Sequence, residues 1–255
     1  MQRALHPRRI GRIPALDVVE AGSADGIGVA LRASGGGEEQ AGEQGSHGAR
    51  TCHATLHSRG HRKAMELRVG IIVGSVREGR RGEAFARWIL GLASDRREVK
   101  AELLDLKDWP LPSYSFREGT TAAEQSYPPD SLAGRWAKKI TAQDAFIIVT
   151  PEYNHGYPGA LKNALDHLSA GWRHKPVAFV SYGGFAGGAR AVEQLRLVAI
   201  ELRMVPVRDE VNVKLVGFEA DERGRPSDPL YAKRAEAMID DLLWWARVAK
   251  QGRES

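Results

Sequence analysis

Apolar residues recur in short blocks along the second three-quarters of the chain, and the blocks alternate between two periods. Leu67-Arg68-Val69-Gly70-Ile71-Ile72-Val73 is a β-branched run that ends in Gly74, the mark of a strand buried on both faces. Phe85, Trp88, Ile89 and Leu92 then return at helical spacing, which predicts a helix from about Gly82 to Ala93. Val99 to Leu106 reads as a second strand. A turn-rich stretch from Trp109 to Asp130 holds Pro110, Pro112, Pro128 and Pro129, and a loop of that length inside a domain usually has a function. Ser131 is placed to cap a helix carrying Leu132, Trp136 and Ile140.

The alternation continues. Ala145 to Val149 is a third strand, stopped at Pro151, and Pro158 suits the first turn of a helix whose apolar face is Leu161, Leu165 and Leu168. Val177 to Val180 is a fourth strand that ends in Gly183-Gly184. Ala189, Val192, Leu195, Ala199 and Leu202 mark a helix, Val205 to Val213 a fifth strand. Asp228-Pro229 opens a last helix with Ala235, Met238, Ile239, Leu242, Leu243 and Ala246 on one face. Strands alternating with helices predict a parallel sheet covered on both faces. Five strands suit the doubly wound order 2-1-3-4-5, in which ligands bind beyond the carboxyl ends of the strands, near the switch between strands 1 and 3.

Residues 1–64 follow neither period. They hold 11 of the 28 glycines and 5 of the 8 histidines, and no Trp, Phe or Tyr. A segment of that kind buries too little apolar surface to offset chain entropy, so 1–64 is expected to be a mostly disordered extension. Met65 stands directly before the first strand, which leaves open a mis-assigned upstream start. Cys52, His53, His57 and His61 are metal-ligand residue types, but no apolar framework surrounds them, and no metal site is expected. The domain is assigned to 65–250.

Charge changes little. The chain carries +5 overall, but 9 basic and 6 acidic residues fall in 1–64, leaving 28 against 26 in the rest. The domain shows no nucleic-acid footprint. No run of 18 apolar residues offers a membrane span, and a single cysteine among 255 residues favours a reducing, cytoplasmic setting.

Three loops carry the candidate chemistry. Gly74-Ser75-Val76-Arg77-Glu78-Gly79-Arg80-Arg81-Gly82 joins a strand to a helix N-terminus, where amides, a hydroxyl and forked cations suit an anion such as phosphate. It is neither a P-loop nor G-x-G-x-x-G. Pro151-Glu152-Tyr153-Asn154-His155-Gly156-Tyr157-Pro158 offers aromatic faces and amides to a flat polar ring. Further on, Lys162, Asn163 and Asp166 suit helix stabilisation or a subunit contact, and His155 reads as a surface residue. Ser181-Tyr182-Gly183-Gly184-Phe185-Ala186-Gly187-Gly188 permits close backbone approach to a planar ligand, with Tyr182 and Phe185 either flanking it or packing the loop.

At these residues, and from about Leu67 to Val213, the chain resembles the NADPH-dependent FMN reductase family, the flavodoxin-like group of quinone, azo-dye and chromate reductases. The carriers are Gly74-Ser75-Val76-Arg77, Pro151-Glu152-Tyr153-Asn154 with Pro158-Gly159-Ala160-Leu161-Lys162-Asn163-Ala164-Leu165-Asp166, and the double-glycine loop. Many members have Ser where this chain has Arg80 and Asn where it has Gly82. The resemblance implies FMN phosphate at Ser75 and Arg77, with Arg80 available to it. It implies the isoalloxazine against Pro151, Glu152, Tyr153 and Asn154, and ring contacts from Tyr182, Gly183, Gly184 and Gly187. Tyr153 and Asn154 would orient the ring; no protein group is assigned an indispensable catalytic role.

By the same resemblance, hydride passes from NADPH by way of FMN to a small acceptor: quinone, free flavin, azo compound or metal oxyanion. Arg117 or Arg190 would meet the 2′-phosphate of NADPH. A homodimer or homotetramer is implied, with Trp172, Trp244 and Trp245 packed either at its interface or in the core, and with the 109–130 loop at the acceptor pocket or a neighbouring subunit. The competing reading is a flavodoxin-like electron carrier without NADPH turnover, although such carriers are usually acidic and lack an arginine-bearing first loop. A chain that begins at Met65 is expected to keep flavin binding and activity; loss of either on truncation would contradict the reading of 1–64.

Overall fold

The computed structural model describes residues 65–115, 127–221 and 225–255; residues 1–64, including Cys52, His53, His57 and His61, lie outside them, as does Arg117. The elements run β1 (Leu67–Val73), α1 (Gly82–Ser94), β2 (Val99–Asp105), α2 (Leu132–Thr141), β3 (Ala145–Pro151), α3 (Gly159–Asp166), β4 (Pro176–Gly183), α4 (Ala189–Glu201), β5 (Val205–Lys214) and α5 (Pro229–Glu254). The five strands form one parallel sheet in the order β2-β1-β3-β4-β5, the flavodoxin-like arrangement expected from the alternation.

Side chains alternate across the sheet, and both faces are apolar. Leu67, Val69, Ile71 and Val73 of β1 face a layer built by α1 and α5, with Phe85, Ile89, Met238 and Leu242. Ile72, Phe146, Ile148 and Phe179 face α2, α3 and α4, with Trp136, Ile140, Leu161 and Leu195. Gly70 belongs on that second face, and a Cβ there would stand 2.9 Å from Leu104 Cδ1. The edge strand β5 accommodates Pro206, which cannot donate to a ladder, and its register with β4 shifts between Val177 and Phe179.

Boundaries move where local chemistry intervenes. Leu106 leaves β2 for a 3-10 turn, Leu106–Asp108, because the Asp105 side chain accepts from Lys107 N at 2.9 Å. Ser131 caps α2 through Gly134 N at 3.0 Å, and Asp228 caps α5 through Leu230 N at 2.8 Å. Pro158 is the extended N-cap of α3 rather than a residue of its first turn; Leu168 falls beyond α3, and Leu202 is the C-cap of α4.

Helix α3 has only 8 residues, so its terminal carbonyls weigh heavily. His167 Nδ1 bonds Asn163 O at 2.7 Å, Trp136 Nε1 donates to Ala164 O at 3.0 Å, and Trp172 Nε1 donates to Leu165 O at 3.0 Å. Trp172 is fully buried, so its interface alternative gives way to core packing. Just before β3, Asp144 accepts from Lys250 at 2.9 Å and from Arg253 at 3.0 Å, which docks the last turns of α5. Among the described residues no helix is long and apolar enough to cross a membrane.

Lys175 is a buried cation, donating to Ile140 O at 3.0 Å and Thr141 O at 2.9 Å at the end of α2. Burial, and after it the charge of Arg253, pulls its pKa from 10.5 down to about 8, against the attraction of Asp144. The unfolded chain therefore binds more protons across that interval, and stability rises with pH between about 8 and 10.5; below pH 8 the cost of burying the charge is fully present. Lys175→Met is expected to flatten this rise relative to wild type in denaturant melts across that range. An unchanged slope would show that Lys175 is not its source.

Candidate functional site

Register sets the site. Val73 at the end of β1 pairs with Asp105 on one side and Val149 on the other, and Pro151 pairs with Tyr182. The strands therefore end nearly level, and the loops after β1, β3 and β4 leave from one edge of the sheet.

The loop after β3 owes its shape to a tight reversal. Tyr153 N donates to Gly156 O at 2.8 Å, and Gly156 N returns a bond to Tyr153 O at 3.0 Å. The two residues between, Asn154 and His155, have φ of 48° and 71°. This is the positive-φ pair of a primed two-residue turn. Asn and His are among the few side chains that enter the left-handed region readily, which is a local reason for Asn154-His155-Gly156 at this point.

A second element grips the turn. From the start of α4, Arg190 Nε donates to Glu152 Oε1 at 2.7 Å and Arg190 Nη1 to His155 Nε2 at 2.7 Å, while Gln194 Nε2 donates to His155 O at 3.0 Å. His155 Nε2 is thus an acceptor, and a neutral ring carries its proton on Nδ1. Arg190 is engaged in shaping the loop while its side chain stays 46% exposed.

The loop after β1 is tied to the loop after β3. Ser75, 1% exposed, shares a 2.7 Å hydrogen bond between its Oγ and the Tyr153 hydroxyl, and its Oγ accepts from Arg77 N at 3.3 Å. Arg77 stands exposed above it. Arg80 is sunk into the loop, its side chain only 8% exposed, with Nη2 paired to Asp105 and 3.6 Å from Glu83 Oε2. Its Nε and Nη1 are buried with no hydrogen-bond partner. A cleft of about 390 Å³ is lined by Arg77, Glu78, Gly79, Arg80, Glu83 and Lys107.

The expected site residues sort by depth. Arg77, Tyr153, Asn154 and Gly184 are exposed; Gly183 is half-buried, the side chains of Arg80 and Glu152 are almost wholly buried, and Ser75 and Pro151 form the floor. Two lie deeper than the rest. Tyr182 is buried and packs on Phe85, ring centroids 5.2 Å apart. That burial, followed by the nearby Tyr153 phenol, pushes its own phenol pKa far up. Gly187 is also interior: a Cβ there would stand 3.0 Å from Asn212 backbone, and its carbonyl accepts from Ser181 Oγ at 2.8 Å. Phe185, by contrast, is 83% exposed and free to flank a ring.

Several contributors lay outside the sequence reading. Asp105 comes from the end of β2, a strand assigned no role at the site. Asn163 holds the loop after β2, accepting from Tyr114 N at 2.7 Å and donating to Pro112 O at 2.9 Å. His167 packs against Tyr114 and Tyr127, at 5.6 and 5.7 Å. Both ends of the 109–130 loop are thereby tied to α3. Lys162 pairs with Asp166 at 2.5 Å within the helix, an i,i+4 contact of the helix-stabilising kind.

The model of the family described as NADPH-dependent FMN reductase matches residues 67–216. This chain belongs to the NADPH-dependent FMN reductase family. An NAD(P)H-dependent FMN reductase of Schizosaccharomyces pombe is 41% identical over 138 residues, 53% of this chain and 68% of that relative. An FMN-dependent NADPH-azoreductase of Staphylococcus aureus is 28% identical over 176 residues, 68% of this chain and 92% of that relative. Among solved structures, FerB, a flavoenzyme NAD(P)H:(acceptor) oxidoreductase from Paracoccus denitrificans, superposes with a TM-score of 0.57 at 25% identity, covering 72% of this chain and 98% of FerB.

Within the reductase family frame, the residues present fit FMN. The orphaned N–H groups of Arg80 suit an anion, since a buried donor left unpaired costs about 1–3 kcal/mol. Gly184 has no atom within 4 Å of a would-be Cβ, leaving open backbone in the loop after β4.

The turn supplies a test of the site. Asn154→Val forces a β-branched residue into the left-handed region and is expected to lower unfolding free energy by about 1–2 kcal/mol and to weaken flavin retention. Asn154→Gly is expected to stay close to wild type in both, read by urea denaturation and flavin fluorescence.

Proposed function

We propose that the cleft at the carboxyl edge of the sheet holds FMN, with its phosphate at the β1–α1 loop and its ring against the turn from Pro151 to Asn154. Electrons from NADPH then reach a small acceptor of the quinone, flavin, azo or metal-oxyanion type. The observation that carries this reading is the convergence on one edge of buried, unpaired Arg80 donors and an exposed reversal carrying Tyr153 and Asn154. Family membership and the FMN-linked relatives support it.

FMN held by Ser75, Arg77, Arg80 and the turn from Pro151 to Asn154 would supply the redox chemistry, hydride acceptance and electron delivery. The chain's own residues bind and orient. Arg77 and Arg80 provide cationic donors to phosphate, and the Arg80 ion pair keeps its side chain within the loop. Arg190 and Gln194 hold the turn in shape, so Tyr153 and Asn154 are presented without further reorganisation. Exposed Gly184 and Phe185 border the open side, where NADPH and acceptor can take turns. No side chain needs to titrate for such an exchange.

The electron-carrier alternative shares the fold but not the arginine-bearing first loop, and the match to a reductase family argues against it. A homodimer or homotetramer is supported by exposed apolar side chains on α4 and α5, among them Leu197, Ile200 and Trp244. A cytoplasmic setting is supported by the single cysteine.

The deciding measurement is the visible spectrum of the protein with FMN before and after anaerobic NADPH. A bound-flavin band that bleaches promptly is the expected result. Bound flavin left oxidised would favour the carrier, and absence of flavin binding would overturn the assignment of the cleft.

A further inference from the structure

We propose that Asp105 is a positioning residue for phosphate recognition: it anchors Arg80 from the end of β2 and so keeps the remaining guanidinium donors at the cleft for the FMN phosphate. This rests on the flavin reading above and adds to it a fourth strand end and a residue that does not itself touch the ligand.

The argument begins with Arg80. Arginine is long and has many rotamers, and in a glycine-bearing surface loop its default is to extend into water. Here the side chain is instead almost wholly buried, and a buried guanidinium needs a counter-charge. Asp105 Oδ2 meets its Nη2, while Glu83, whose Oε1 accepts from Arg87 at 2.8 Å, stands further off at 3.6 Å.

Asp105 is itself held fast. Its backbone is the last residue of β2, in register with Val73, and its Oδ1 accepts from Lys107 N at 2.9 Å. The carboxylate thus has one oxygen fixed by the chain and the other given to Arg80. The ion pair satisfies Nη2 alone. Nε and Nη1 stay buried without a partner, an arrangement that a purely structural clamp would leave at a net cost. An acceptor with two or more oxygens, carried by a ligand in the adjoining cleft, completes the set. Asp105 also keeps the phosphate from having to draw Arg80 out of solvent on binding, a gain by preorganisation.

FMN and riboflavin differ only in the phosphate, so their affinity ratio isolates this function from general folding. Dissociation constants for both are to be measured by flavin fluorescence quenching on the full chain. In Asp105→Asn the preference for FMN over riboflavin is expected to fall about tenfold, as for loss of a charge-assisted contact, with riboflavin affinity retained. A wild-type preference in that variant overturns the proposal, as does an equal loss of both flavins, which marks a structural role alone. Should Asp105→Asn fail to fold, Arg80→Lys carries the test: it keeps the charge without the fork and is expected to lose the preference, and an unchanged ratio overturns the proposal. Wild-type protein that binds neither flavin overturns the flavin reading as well; wild type that binds both equally overturns only the phosphate assignment and this inference.

Discussion

A parallel sheet buried on both faces leaves its backbone groups no partner but the neighbouring strand, and that constraint organises the molecule. β1, β3 and β4 lie in the interior of the sheet with apolar side chains above and below. Their register is held by ladder bonds along their length, and a slip of one residue would turn every side chain to the wrong layer. Because Val73, Val149 and Pro151 are thereby fixed near one edge, the loops that leave them have no choice but to meet. The site is a consequence of core packing before it is a consequence of any loop.

Within that edge the polar groups divide into those bound to one another and those left over. Ser75 with Tyr153, Arg190 with Glu152 and His155, and Ser181 with Asn212 and Gly187 form closed contacts among the segments at this edge. They set the shape in advance of any ligand. Arg80 Nε and Nη1, together with Glu152 Oε2, are buried and unmatched. Unmatched buried polar atoms are rare because they are costly, and those of Arg80 and Glu152 lie at the edge where FMN is proposed to bind. Stability and binding are thus coupled through the same few groups.

Local chemistry also explains why the helices stand where they do. α3 is too short to satisfy its own last carbonyls, and the indoles of Trp136 and Trp172 complete it while filling the core. Two large aromatics serve packing and hydrogen bonding at once. Asn163 and His167 extend the same helix toward the loop after β2, so the element that follows the Tyr153 turn also anchors the opposite wall of the region.

The order and type of every element, and the sheet topology, were legible in the chain because apolar period, capping residues and turn residues act over a few neighbours. So was the general place of the site, since the alternation of strand and helix implies the edge where loops converge. The primed turn at Asn154-His155 was legible in part, as residues that tolerate positive φ. Tertiary structure alone decided which members of the motifs are exposed and which are buried. Tyr182 and Gly187 carry motif positions but turn inward, because the packing of Phe85 and the approach of Asn212 are settled by strand register. It also decided that Arg190 serves the turn and that Asp105 answers Arg80: partners 25 or more residues apart meet only once the sheet has formed, and no spacing along the chain records that meeting.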